Sequence, residues 1–316
     1  MTDATDGPET TGIVSGRVLV VAFEGWNDAG EAASGALSVL RRNLDVQPIM
    51  TIDAEDYFDY QFNRPVVTQD EDGERSIVWP SVVVYGPAGR HRPRARSRGK
   101  GEASMPGDNG SNLYLLLGAE PSRKWKSFAS EIMQVLREEY IGGIVFLGAM
   151  LADVPHTRPI SVFASSENPA VRAEFGIEKS NYEGPVGILS VLADAAERLG
   201  VPTMSIWASV PHYVHNAPSP KATLALVDRL EDILDVVIPR GDLADEAAVW
   251  ESGIDALAGD DEDMASYIRQ LEQARDTVDS PEASGEAIAQ EFERYLRRRG
   301  DGGKADGRGP DDLWRP

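Results

Sequence analysis

Four side chains of this 316-residue chain combine a type suited to acid-base chemistry with a place where a strand is expected to end: Glu24, Asp28, His156 and His212. Glu24 and Asp28 lie in VLVVAFEGWNDAG (residues 18–30), where an apolar strand runs into a Gly-containing turn and then a helical pattern. His156 and His212 each follow Val-Pro, in MLADVPHTR (150–158) and VPHYVHN (210–216). Histidine exchanges protons near neutral pH and a neighbouring carboxylate can orient it, so the four suit an acid/base pair acting on a small substrate. In open α/β sheets ligands bind beyond the carboxyl ends of the strands. Trp26, Asn27, Asp153, Arg158 and Tyr213, from the same turns, are therefore candidate binding residues. Glu183 and Gly184, in the Gly/Pro turn NYEGPVG (181–187), join them.

Other readings of these residues stand beside that one. A metal site could draw on His156, His212 or His215 with Glu24, Asp28 or Asp153, but no pair has the close helical spacing of a strong ligand motif, and no metal is assigned. A structural reading has the histidines bonded to backbone carbonyls in Pro-shaped turns and Arg158 paired with an acid. For the first turn, strand, Gly and helix suggest a phosphate loop, yet the Gly-rich pattern and its Lys are missing and two carboxylates stand there. Asn27 or Asp28 is expected instead to cap the helix, so that the turn fills its own anion hole. No Gly-x-Ser-x-Gly elbow exists, and nothing in the chain calls for a cofactor.

The elements that must position these residues follow from hydrophobic period. Apolar runs alternate with helical patterns from residue 17 to about 238, the signature of βα units around a largely parallel sheet. Strands are predicted near 17–23, 46–52, 77–85, 113–118, 143–149, 159–164 and 203–209. Helices are predicted over 29–42, 122–139, 187–199 and 219–235, the last opening on Ser219-Pro220, a hydroxyl cap followed by Pro in the first turn. The α/β core is thus expected over 14–240. Within it, the Arg-rich segment 86–112 has a composition that cannot bury a core and is expected to be disordered. Helical patterns near 243–258, 261–278 and 283–299 form a C-terminal extension. Their apolar stripes, such as Ile268, Leu271 and Val278, require a surface to pack on. Residues 1–13 and 300–316 are expected to be disordered tails.

Charge narrows the partners. With 52 acidic against 31 basic residues the formal charge is −21, which repels nucleic-acid phosphates and anionic lipid. No apolar run is long enough to span a bilayer and the start lacks the features of a signal peptide, so a cytoplasmic protein is expected. The chain has no cysteine, which excludes disulfides and thiolate sites.

Taken in order, FEGWNDAG, DAEDYFDYQFNRP, GAEPSRKW, VFLGAMLADVPHTRP, NYEGPVGIL and VPHYVHNAPSPKATLALVDRL resemble the proteasome assembly chaperone family, in its actinobacterial branch, as do the closing YIRQLE and EFERYLR. The resemblance spans roughly residues 14–299. It implies an α/β sandwich similar to the nucleoside phosphorylase and hydrolase-like fold, self-association as a homo-oligomer, of which a trimer is one form, and a chaperone role toward proteasome α-subunits in eukaryotic and archaeal relatives. Those relatives end on a hydrophobic residue, a tyrosine and one last residue. Here Leu313 and Trp314 are followed by Arg315 and Pro316, a departure that leaves Leu313-Trp314 as a candidate docking motif of altered form. The leading expectation is a non-enzymatic, oligomeric assembly factor. The alternative is a small-molecule enzyme or sensor with a cleft at the strand ends.

Overall fold

Along strand β1 (Arg17–Glu24), Val18, Val20 and Ala22 enter one hydrophobic cluster while Leu19, Val21 and Phe23 enter another. That period of two marks a strand covered on both faces, at the centre of a layered α/β domain. The computed structural model describes residue 13 and residues 16–70, 72–88, 112–215 and 217–278. The helix expected over 283–299, residues 1–12, the C-terminal tail with Leu313 and Trp314, and most of the Arg-rich segment lie outside the described residues; Ile13, expected as the end of the N-terminal tail, is instead buried in the first cluster.

The chain continues through α1 (Ala32–Asn43), β2 (Val46–Ile52), α2 (Ala54–Tyr57), β3 (Val66–Gln69), β4 (Arg75–Val78), β5 (Val82–Pro87), β6 (Leu113–Ala119), α3 (Trp125–Glu138), β7 (Ile141–Ala152), β8 (Val162–Ser165) and α4 (Pro169–Phe175). It ends with α5 (Ile188–Glu197), β9 (Thr203–Pro211), α6 (Pro220–Leu234), α7 (Leu243–Gly259) and α8 (Glu262–Val278). Seven strands form one sheet in the order β2-β5-β6-β1-β7-β9-β8. The four central strands β6, β1, β7 and β9 are parallel, while β5 and β8 run against their neighbours. The carboxyl ends of the four central strands therefore share one end of the sheet, as the candidate site requires.

Helices cover both faces. α1 and α6 bury Leu37, Leu40, Leu226 and Leu230 against the first cluster. α3 and α5 bury Phe128, Ile132, Ile188 and Leu192 against the second. In α3 the buried residues recur at three- and four-residue spacing, the stripe of a helix lying on a sheet. Phe128 meets Phe23 and Tyr57 edge to face, with ring centroids 5.9 and 5.4 Å apart.

Four further expectations need correction. The run at 77–85 is two strands of different sheets, because Pro80 has no N–H to give and divides β4 from β5. β4 pairs instead with β3 in a hairpin whose turn holds Gly73 at φ 80° and the Asp70 carboxylate, which accepts from the N–H groups of Asp72 (3.1 Å) and Glu74 (2.8 Å). The strand at 159–164 begins at Val162, beyond Pro159, and is antiparallel to β9. β7 runs to Ala152, three residues past its predicted end, because β9 pairs with it as far as Pro211. Finally, Ser219 holds the N-cap position of α6 but its hydroxyl makes no capping bond; its N–H donates to the Gly30 carbonyl at 2.7 Å.

Candidate functional site

The first strand end is locked by its own backbone and by one carboxylate. Gly25 turns the chain at φ 106°, a region that favours glycine. The Ala149 N–H of β7 then donates to the Asn27 carbonyl at 2.8 Å. Asp28 Oδ1 accepts from the N–H groups of Ala33 (2.7 Å) and Ser34 (3.2 Å), so Asp28 satisfies the amino end of α1 from outside the helix. Its carboxylate stands where a bound anion would stand. Burial pushes the Asp28 pKa up to about 6, against the downward pull of Ser34 and Ala33, and the Glu24 charge adds to the rise.

Asn27 does not cap. Its amide nitrogen donates to Glu120 Oε1 at 3.2 Å, and Glu120 Oε1 also accepts from the Ile188 N–H at 2.9 Å. Glu120 therefore closes the amino end of α5 and ties it to the first turn, and burial raises its pKa. Sequence reasoning missed this residue. The signal was available: Glu120 directly follows β6, a fourth strand end in the row. Gly187 is explained by the same contact, since a Cβ there would lie 2.7–2.8 Å from the Asn27 amide.

Between this turn and the 182–187 loop lies a cleft of about 280 Å³, lined among others by Trp26, Asp28, Met150, Tyr182, Trp207 and His215. Gly148 admits the Trp207 indole, whose ring atoms lie 2.6–2.7 Å from where a Cβ would be. Of the predicted site residues, Trp26, Asn27 and Asp28 line this cleft; Glu24, Glu183 and Gly184 do not and are exposed at the surface.

The other predicted residues gather elsewhere, against the C-terminal helices. His156 is fully buried. Its N–H donates to Tyr213 Oη at 2.7 Å, its Nδ1 lies 2.8 Å from the same oxygen, and its Nε2 lies 3.1 Å from Asp255 Oδ1 of α7. With the proton on Nε2, that nitrogen donates to Asp255 and Nδ1 accepts from the Tyr213 hydroxyl, a complete set of bonds. Burial pushes the Tyr213 pKa up to about 12. Lys221 Nζ donates to the His156 carbonyl and to Glu251 Oε2, both at 2.6 Å. His212 lies 3.3 Å from Asp153 Oδ1, which also accepts from Tyr267. Arg158 grips Asp276 of α8 with two bonds of 2.8 Å, holding that carboxyl below its usual range. His215 Nδ1 faces the His212 carbonyl at 2.8 Å. So the turns after β7 and β9 meet, while the turn after β1 sits on the cleft. Among the described residues, no three His, Asp or Glu side chains are placed to hold a metal ion.

Residues 22–258 match the family model described as the PAC2 family. The chain belongs to the PAC2 family. Solved structures of similar PAC2-like chains include the PAC2 family protein of Streptomyces avermitilis, 43% identical, covering 79% of this chain and 98% of that one with a TM-score of 0.66. A proteasome-assembly chaperone homologue of Mycobacterium tuberculosis is 39% identical over 79% of this chain and 99% of its own, with a TM-score of 0.65. A second M. tuberculosis protein, of unknown function, is 25% identical over 92% of this chain and 95% of its own, with a TM-score of 0.73. No curated protein matches this PAC2 chain. Among the described residues, no helix is long and apolar enough to cross a membrane.

Proposed function

We propose that this PAC2 protein is a cytoplasmic, non-enzymatic assembly factor that works as an oligomer by holding other protein chains, with proteasome α-subunits as partners. The observation that carries this reading is how the acid-base side chains are used. Asp28 caps α1, His156 is sealed between Tyr213 and Asp255, and of the four candidate catalytic residues only Asp28 lines the cleft. A proton-transfer pair needs two groups set on one substrate; of the four candidates the cleft presents Asp28 alone, and His215, which also lines it, turns its Nδ1 onto the His212 carbonyl at 2.8 Å rather than toward Asp28. The name of the M. tuberculosis relative, a proteasome-assembly chaperone homologue, supports the choice of partner. Leu313-Trp314 is the segment proposed to dock on those subunits.

Self-association is supported by the β3–β4 hairpin. All eight of its strand residues are exposed, among them Val66, Val67, Ile77 and Val78, and Phe62 and Trp79 beside it are 83% and 49% exposed. A lone two-stranded ribbon with apolar faces is marginal in water, and pairing with its own copy satisfies both its free edges and its side chains. Light scattering on Val67→Asp/Ile77→Asp tests this. The variant is expected to elute as a folded monomer while the parent is a multimer; a parent that is itself monomeric overturns the self-association reading.

A further inference from the structure

Asp28 spends one oxygen on α1 and leaves the other without a partner. Its Oδ2 is buried and has no hydrogen-bond partner among the described residues, in a side chain belonging to a residue only 6% exposed. A buried carboxylate oxygen left unpaired is costly, so an N–H brought to it gains more than the same contact would in water. The residue lines the cleft whose other walls include Trp26, Trp207 and Tyr182. No Lys or Arg is among the lining residues, so an anionic ligand meets no countercharge there. Carboxylate and aromatic faces both attract cations.

We propose that this cleft binds a small organic ammonium ion, which donates an N–H to Asp28 Oδ2 and lays its apolar body against Trp26, Trp207 and Tyr182. The cleft's volume of about 280 Å³ falls just below the usual range for ligand pockets, about 300–1,000 Å³, which restricts it to a single-ring or short-chain amine. The chain's formal charge of −21 draws cations toward it. Trp26, 46% exposed, and Val186, 48% exposed, are the walls with room to move aside as the ion enters. Glu24, whose charge acts on Asp28, favours the same sign of ligand, and His215 and Tyr182 are the other ionisable side chains lining the cleft. This site does not depend on the assembly reading, and either can fail alone.

The test titrates 2-phenylethylammonium into the full chain, with 2-phenylethanol and phenylacetate as its neutral and anionic counterparts, reading heat and Trp fluorescence. The work is done at about pH 7.5, where Asp28 with its pKa of about 6 is ionised. The ammonium is expected to bind at least about tenfold more tightly than either counterpart. Asp28→Asn keeps an acceptor for the α1 N–H groups and is expected to lose that tenfold while denaturation shows it folded. Trp26→Leu, which leaves Asp28 in place, is expected to weaken the ammonium by several-fold. Equal binding of phenylacetate or phenylethanol, unchanged affinity in Asp28→Asn, or no response to the ammonium up to about 10 mM overturns the proposal.

Discussion

Replacing Asp28 by Asn isolates one buried charge. The carboxylate caps α1 through Oδ1, and an Asn carbonyl can accept from Ala33 and Ser34 in the same way. What the substitution removes is ionisation. The Asp28 pKa rises from 3.8 to about 6 on folding, because burial penalises the charged form more than the helix amides favour it. A raised carboxyl pKa means that the folded state holds its proton longer than the unfolded chain, so stability falls as pH rises from about 4 to about 6 and levels off above that. At 1.36 kcal/mol per unit, the shift from 3.8 to about 6 amounts to about 3 kcal/mol. An amide side chain at this position carries no such dependence. The stability of Asp28→Asn minus that of the parent should therefore grow by about 2 kcal/mol between about pH 4 and pH 7, in favour of the variant, the rest of the difference developing below pH 4 where the unfolded carboxyl begins to ionise. The amide's own NH₂, which finds no acceptor at the Oδ2 position, adds an offset that is the same at every pH. Urea denaturation of both proteins across that range, under two-state conditions with matched m-values, gives the difference directly. A difference that stays flat with pH, or one that shrinks as pH rises, refutes the claim that burial dominates this site.

Three further outcomes follow from the packing. Phe128→Ala removes a ring wedged between Phe23 and Tyr57 and is expected to cost about 3–5 kcal/mol, read as a shift in denaturation midpoint; a loss below about 1 kcal/mol would show that the second cluster repacks around it. Glu120→Ala leaves the Ile188 N–H and the Asn27 amide without their acceptor and is expected to cost about 1–3 kcal/mol, with Glu120→Gln closer to the parent because its carbonyl still accepts; equal losses in the two variants would contradict this role. Ending the chain at Arg240 strips Asp255 from His156, Glu251 from Lys221 and Asp276 from Arg158 and bares the surface under Leu243 and Ile254. Its melting temperature should fall by about 5 °C or more; an unchanged value would mean that α7 and α8 add nothing to the core.

The layers of this fold were legible because their signal is local. Continuous apolar runs such as Val18–Phe23 and Ile144–Leu147 mark strands buried on both faces, and the stripe of α3 needs no tertiary context to be seen. The β3–β4 hairpin was equally local and was overlooked: Asp72-Gly73 between two Val/Ile pairs is a strong turn signal. Other features depend on contacts that sequence order hides. Three extra residues of β7 are extended because β9 lies beside them, and Gly148 is glycine because Trp207 covers it. At the site, the helix-capping carboxylate was readable from Asp28 and its following helix. The separation of the site into two clusters was not, because it depends on Asp255, Tyr267, Glu272 and Asp276, which arrive from helices about a hundred residues downstream.

The central claim is that this PAC2 protein acts by holding other chains, and the most direct measurement is the mass, by light scattering after size-exclusion, of the full chain alone and mixed with purified proteasome α-subunits of the same organism. The account predicts a multiple of the 34.3 kDa chain mass alone, and in the mixture a heavier species that is lost when Asp311–Pro316 is removed. A 34.3 kDa species alone, with both components eluting separately at about ten micromolar or more, would contradict it.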